Sequence, residues 1–403
     1  MIPDVFVKIR RGGVTVSSYC VGMPKGAITA VNDLLDHCAK IQPRQEVLLL
    51  AHVDGLYGGD NLVDQEAVSW VQAGVQARGA NASILWIDET AKPHAWRFPP
   101  VVKAAMSASD VVINFCFDLN TEEIVEFREY IRERKFRMVR NFATTAPLLC
   151  TAWAQTPYEL VSEIRYQASL PIIGGTKWVL TDENGTHLEG TILDPVKIPG
   201  VPGPPRYCSR REEAGGFLPW PEWMHPQIRM AHMSGVFIFD RMLSWWSRYI
   251  GVRPFFDKPV KLDINDGRIT RIEGGDEADA LSRFLSSMQQ RLGDKVYDFY
   301  ALHFGVHPQA SVENHQCSSL IYRRLIEHSH SSNIHAHIGA PSPNPSYPYW
   351  MHITGDIRKP TFRVGDVLVH DRGHLNALDH PAVLAVAAKY PGRPGLGPEP
   401  KTC

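Results

Sequence analysis

The chain has 403 residues, 44% of them hydrophobic, which is enough for more than one substantial core. Its 42 basic and 43 acidic side chains nearly cancel, so the overall charge gives no reason to expect a nucleic-acid partner. No window is long and apolar enough to span a membrane, and the N-terminal stretch MIPDVFVKIRRGG has no signal-peptide core, so the expectation is a soluble cytoplasmic protein with no membrane partner. The seven cysteines are scattered, odd in number and form no C-x-x-C, which predicts reduced thiols; Cys116, in VVINFCFDL, reads as core.

In chain order, AITAVNDLLDHCAKI reads as an amphipathic helix and QEVLLLAHVD as a buried strand. EAVSWVQAGVQARG, NASILWIDE, FPPVVKAAMSAS and DVVINFCFD continue the alternation of helix and strand. TEEIVEFREYIRER, with Thr121 as a cap, predicts another helix, and FRMVRNF another strand. Such alternation implies a parallel sheet covered on both faces, so residues 1–165 are assigned to a Rossmann-like α/β domain. It carries no G-x-G-x-x-G and no phosphate-binding G-x-x-x-x-G-K-[ST]; the glycine-rich run Gly55–Asn61 has the wrong spacing for a dinucleotide loop.

The pattern then changes. VKIPGVPGPPRYCSR and FLPWPEWMHP read as irregular, and GVFIFDR and PVKLDINDGRITRIEGG as antiparallel strands, the latter a hairpin around Asn265-Asp266-Gly267. ADALSRFLSSMQQRLG predicts a helix stopped by Gly293, KVYDFYALHFGV a strand, SSLIYRRLIEHSH a helix or turn, and NIHAHIGAP and WMHIT strands. TFRVGDVLVHDRG predicts a closing hairpin around Gly365-Asp366. Residues 166–388 are therefore assigned to a mixed, largely antiparallel α+β domain. Residues 389–403 form a Pro/Gly-rich tail, expected to be flexible or draped on the surface.

Eleven of the 17 histidines fall after residue 300. His303, His335, His337 and His352 lie in strand-like contexts, and His335 and His337, two apart, share a strand face. Imidazole is a neutral ligand suited to iron, zinc, copper and nickel, and a non-haem ferrous site combines two histidines with a carboxylate. Asp356 is a candidate carboxylate if the chain turns at Gly355. His307, His315, His328, His330, His370, His374 and His380 read as ordinary polar residues.

WPEWMHPQIRMAHMSGVFIFD, DINDGRITRIEGG, YALHFGVHPQA and WMHITGDIRKPTFRVGDVLVHDRG, in that order, resemble the family of aminopeptidase T-type metallopeptidases. The resemblance is greatest to its offshoot, the 2,5-dihydroxypyridine 5,6-dioxygenases. It implies a ferrous ion, Fe(2+), held by His303 and His352, and puts Thr354 where the family has its aspartate. Asp356 or His335 would then complete the set. The peptidase branch needs several carboxylates for two metals, but Ser234, His303 and Thr354 stand at three of their positions. The resemblance thus implies a ring-cleaving dioxygenase that acts on a hydroxylated aromatic or N-heteroaromatic compound with dioxygen, in a homo-oligomer. The alternatives are a metal-dependent hydrolase and a non-catalytic metal or small-molecule binding protein. His225 and His232 are the candidates for catalytic acid or base. Trp220, Trp223, Tyr349 and Trp350 are candidates for stacking on a ring, and Arg165 for binding a carboxylate.

Overall fold

The computed structural model of the chain describes residues 9–10, 13–14, 22–52, 62–87, 100–116, 137–194, 217–222, 224–225, 227–242, 247, 250–339 and 353–397. The expected helix at TEEIVEFREYIRER, the Gly55–Asn61 run and the Pro-rich stretch 196–210 fall outside them. A short antiparallel pair, β1 (Ile9–Arg10) and β2 (Gly13–Val14), comes first.

The first sheet is parallel throughout. It comprises β3 (Glu46–His52), β4 (Asn81–Ile87), β5 (Val111–Asn114), β6 (Arg137–Asn141) and β9 (Phe217–Trp220), in the order β4-β3-β5-β6-β9. Every residue of β3 after Glu46 is buried, the run expected of a strand covered on both faces. The covering helices include α1 (Lys25–Asp33), which continues as a π turn over Leu34–Cys38, α2 (Gln65–Ala77) and α3 (Pro100–Ser107). Asp64 caps α2 by accepting from the Ala67 backbone N–H at 2.6 Å, and its other oxygen accepts from Ala146 N–H at 2.7 Å. The carboxylate thereby ties α2 to α4 (Ala146–Leu149), which leads into α5 (Ala152–Gln155) and α6 (Tyr158–Ser169).

FLPW, expected to be irregular, is β9 and joins the first sheet beside β6. Its prolines hid the strand, yet an edge strand tolerates residues that cannot donate to a ladder. The second sheet is antiparallel. It contains β7 (Lys177–Thr181), β8 (His187–Ile192), β10 (Ile228–Met242), β11 (Phe255–Asn265), β12 (Arg268–Glu273), β13 (Phe299–Phe304), β14 (Asn333–Ile338), β15 (Ile353–Arg358), β16 (Thr361–Val364), β17 (Val367–Asp371) and β18 (His374–Leu375). With α7 (Asp276–Leu292), α8 (Leu320–His328) and α9 (Pro381–Ala387) it makes the expected α+β part. The hairpins at Asn265-Asp266-Gly267 and Gly365-Asp366 are present as β11–β12 and β16–β17.

The long β10 positions the site. It pairs with β13 near its start, at Ile228 and Arg229, and with β15 at its end, at Arg241 and Met242. Because β13, β14 and β15 are consecutive neighbours, these four strands form a closed circuit. Helix α8 ties that circuit to the first sheet: the Tyr322 hydroxyl donates to the Phe142 carbonyl just beyond β6 and lies 3.4 Å from the Thr144 hydroxyl. Burial pushes the Tyr322 phenol far above its ordinary range, so it stays a neutral donor. The Pro/Gly-rich tail is draped on the protein as far as residue 397. There Arg393 reaches Asp33 at 3.1 Å and the Gln155 carbonyl at 2.6 Å. Among the described residues no helix is long and apolar enough to cross a membrane.

Candidate metal centre

Strand register assembles the site. His303 of β13 lies opposite His335 of β14, His335 opposite Asp356 of β15, and Asp356 opposite Arg241 of β10. Directly opposed residues share a face, so the four make one cross-strand row. One step along, Ala301, His337 and Thr354 form the adjacent row. His335 and His337 thus share the face of β14 that His303 occupies on β13.

Ligand-capable atoms of His303, His335 and His337 all lie within 4.8 Å of one another. The ring centroids are 5.0 Å apart for His303–His335, 5.0 Å for His335–His337 and 5.4 Å for His303–His337. Metal–nitrogen bonds of about 2.0–2.1 Å with tetrahedral or octahedral angles put imidazole centroids about 4.5–5.2 Å apart. Two of the three separations fall within that range and the third, His303–His337, lies just beyond it, so the trio is close to the spacing of three imidazoles around one ion. His335 and His337 are buried while His303 is half-buried, so the cluster opens on the β13 side.

Two neighbours orient this trio. The Gln227 amide nitrogen lies 3.1 Å from His337 Nδ1 and, as placed, donates to it; the same amide turned end for end would instead accept the Nδ1 proton and leave Nε2 for a metal. Tyr300 is the extra residue of a β-bulge between Phe299 and Ala301, and its ring centroid lies 5.7 Å from that of His337. The bulge turns a side chain that regular alternation would send to the other face toward the histidines.

A second cluster, His328, His335 and Asp356, shares His335 and is wholly buried. Helix α8 supplies it. Ser319 caps the helix, and Arg324 and His328, four apart, project from one face onto the row. Asp356 Oδ2 accepts from the Arg324 guanidinium and lies 2.7 Å from His328 Nδ1. Burial raises the Asp356 carboxyl, but Arg324, His328 and Arg241 outweigh it and hold the group below the usual carboxylate range. The His328 and His335 ring centroids are 3.6 Å apart with the planes tilted by 31°, too close for two imidazoles bound to one ion. The guanidinium on Asp356 further opposes a dication there. This second group is better suited to buttressing His335 than to holding a metal of its own.

The structure brings His303 and His335 together and adds His337. Asp356 belongs to the second cluster, and His352 lies outside the described residues, as do Trp223, Tyr349 and Trp350. Thr354 faces His337, so an imidazole stands directly across from the position where the resemblance expects an aspartate. His225 is buried; its backbone N–H donates to the Phe304 carbonyl at 3.0 Å, and its ring stacks on Phe304 at 4.3 Å. Phe304 alternates with His303, which places His225 on the opposite face of β13. His232 sits at a bulge of β10 with φ +51°, its side chain 79% exposed and paired with Asp266 at 3.0 Å. Neither joins the cluster. Trp220 is buried with its indole N–H on Asp33 at 3.2 Å, and buried Arg165 lies 3.7 Å from Glu222, so both are committed within the protein.

His328, Arg324, Gln227 and Tyr300 escaped the sequence reading. The one signal for the first two was a polar pair at helical spacing in LIYRRLIEH. Gln227 and Tyr300 owe their roles to strand register and a bulge, which spacing alone does not show.

No family model and no curated protein matches this sequence. Among solved structures, the chain is similar to a 2,5-dihydroxypyridine dioxygenase from Pseudomonas putida, with TM-score 0.55 and 13% identity over 87% of this chain and 96% of that one. A structure of AmpT from Thermus thermophilus matches with TM-score 0.47 and 10% identity over 87% of this chain and 98% of that one. The resemblance read from the sequence therefore holds as a distant similarity of fold.

Proposed function

We propose that this protein is a mononuclear non-haem Fe(2+) dioxygenase that opens the ring of a hydroxylated aromatic or N-heteroaromatic compound. The observation that carries this reading is the trio His303, His335 and His337, with centroid separations close to those of a single-ion site and an opening at His303. The fold, shared with a 2,5-dihydroxypyridine dioxygenase, supports the choice of reaction.

Three neutral imidazoles suit iron, and they leave coordination positions for a hydroxylated ring and dioxygen. Bound iron would supply what the side chains lack, a path for electrons from the ring to dioxygen. The remaining contributions come from the protein. Gln227, with its amide turned so that the oxygen faces His337 Nδ1, would hold the proton there and free Nε2. Asp356, Arg324 and His328 brace His335 from behind. Tyr300, half-buried beside His337, is placed to donate a hydrogen bond to a ring substituent. His352 remains a proposed additional ligand by resemblance. The proposal also includes an assembly of identical chains, to be tested by light scattering.

An oxygen electrode tests the reading with 2,5-dihydroxypyridine and a panel of hydroxylated benzoic acids. We expect uptake of one dioxygen per ring opened, abolished by His335→Ala. Substrate-independent oxygen uptake, or release of an amine from peptides without oxygen, would sink it, the latter in favour of a hydrolase.

A further inference from the structure

The charges buried around the histidine trio do not balance, and the imbalance bears on what the site takes. Imidazoles are neutral ligands, so His303, His335 and His337 leave the double charge of a ferrous ion uncompensated. A set of two histidines and a carboxylate would cancel one of those charges. The position expected to carry that carboxylate is Thr354, directly across from His337. The stretch 340–352, which includes His352, contains no Asp or Glu. Among the described residues, Asp356 is the carboxylate that shares a ligand-spaced group with a member of the trio.

Asp356 is already answered by two guanidiniums. Arg324 donates to its Oδ2, and Arg241 stands opposite it at the end of the cross-strand row. Both guanidiniums lie 5.9 Å from the ring of Phe255, which keeps them at this end of the row. Asp356, Arg324 and Arg241 are all buried. The acidic neighbours of the two arginines lie nearer water. Asp240, 2.7 Å from Arg241, is 38% exposed, and Glu327, 3.8 Å from Arg324, is 33% exposed, so solvent screens both. His328, beside Asp356, adds no negative charge in either protonation state. One buried carboxylate against two buried guanidiniums leaves the described surroundings of the trio positive before any ferrous ion is added.

A water-poor site of that charge favours a ligand that brings two negative charges over one that brings a single charge. Resting on the ferrous, ring-opening reading of the trio, we propose that the centre selects aromatic acids that carry a hydroxyl next to the carboxylate and binds them with both groups deprotonated. The hydroxyl O–H bond breaks on binding, its electron pair stays on the oxygen, and the proton passes to the buffer. Adjacent oxygens can act on one ion together, which groups on opposite sides of a ring cannot. The half-buried His303 marks the side from which such a ring enters.

The test uses the full-length, ferrous-loaded protein kept without oxygen, so that binding is read apart from turnover. Calorimetric titrations compare 2-hydroxybenzoate with 2-hydroxybenzamide, which keeps the ring and hydroxyl but lacks the carboxylate charge, and with benzoate, which lacks the hydroxyl. The expected result is binding of 2-hydroxybenzoate about tenfold or more tighter than of either. Because a free phenol is protonated near neutral pH, about one proton should be released per ring bound, read from the difference between buffers of unlike ionisation enthalpy. Thr354→Asp adds a carboxylate across from His337 and should shrink the advantage over the amide. Equal binding of the amide, no proton release, no binding of 2-hydroxybenzoate, or an undiminished advantage in folded, metal-loaded Thr354→Asp would overturn the proposal. Oxygen uptake then tells its failure from that of the dioxygenase reading. Uptake driven by 2,5-dihydroxypyridine, with no preference for 2-hydroxybenzoate, would keep the dioxygenase and overturn the doubly charged ligand. Tight, proton-releasing binding of 2-hydroxybenzoate with no uptake from any ring would keep the doubly charged ligand and overturn the dioxygenase.

Discussion

Replacing Asp356 by asparagine separates bracing from metal ligation. In the wild type Asp356 is fully buried, with Oδ2 shared by Arg324 and His328. Asparagine keeps the shape and removes the charge. The Arg324 guanidinium, itself fully buried, is then left with Glu327 at 3.8 Å as its acidic neighbour. Removing one partner of a buried ion pair costs about 3–5 kcal/mol. The asparagine oxygen still accepts one hydrogen bond, which restores about 1 kcal/mol, so a net loss of about 2–4 kcal/mol is expected. Urea unfolding followed by tryptophan fluorescence measures that loss, and elemental analysis of the folded variant measures its metal. The three-histidine account predicts lowered stability with full metal content. Adding Arg324→Met, which removes the stranded charge, should recover part of the stability. Loss of metal at wild-type stability would refute the reasoning and put Asp356 in the coordination sphere.

The protein should also be acid-labile well above the carboxylate range. Burial above all lowers both His307 and His370 to about 3. The unfolded chain takes up these protons below about pH 6.5 while the folded chain does not, so their contribution is complete above that pH and is lost as pH falls toward 3. Two such groups remove about 2 kcal/mol between pH 6.5 and 5.5, and unfolding free energies equal at those two values would contradict it. Gln227→Leu removes the partner of His337 and should weaken metal binding about 10–100-fold in a chelator competition; unchanged affinity would count against the tautomer-setting role. His232→Ala, at an exposed bulge, should leave metal content and oxygen uptake at wild-type values, and a loss of uptake would restore His232 as a catalytic candidate.

The legible parts of the fold were those written in local pattern. The apolar run of β3, the Asn265-Asp266-Gly267 turn and the Gly293 stop of α7 each follow from short stretches of sequence. The β7–β8 hairpin was overlooked although Asp182 and Gly185 mark its turn, with Asp182 Oδ1 accepting from Asn184 and Thr186. The histidine site was half legible. His335 and His337 share a face by strand period alone, and their pairing with His303 is a matter of register between strands about thirty residues apart. The position of Asp356 was harder to foresee. A turn at Gly355 was expected to make it a ligand, whereas β15 runs on through Gly355 and a salt bridge from α8, invisible to strand periodicity, holds the carboxylate on Arg324. His328 looked ordinary for the same reason: its partners lie on β14 and β15, and only tertiary packing brings them to it.

Elemental analysis of protein purified without oxygen, with His303→Ala/His335→Ala prepared in parallel, tests the central claim most directly. The account predicts about one iron per chain, absent from the folded double variant. Two zinc or cobalt ions per chain, or one iron retained by that variant, would contradict it.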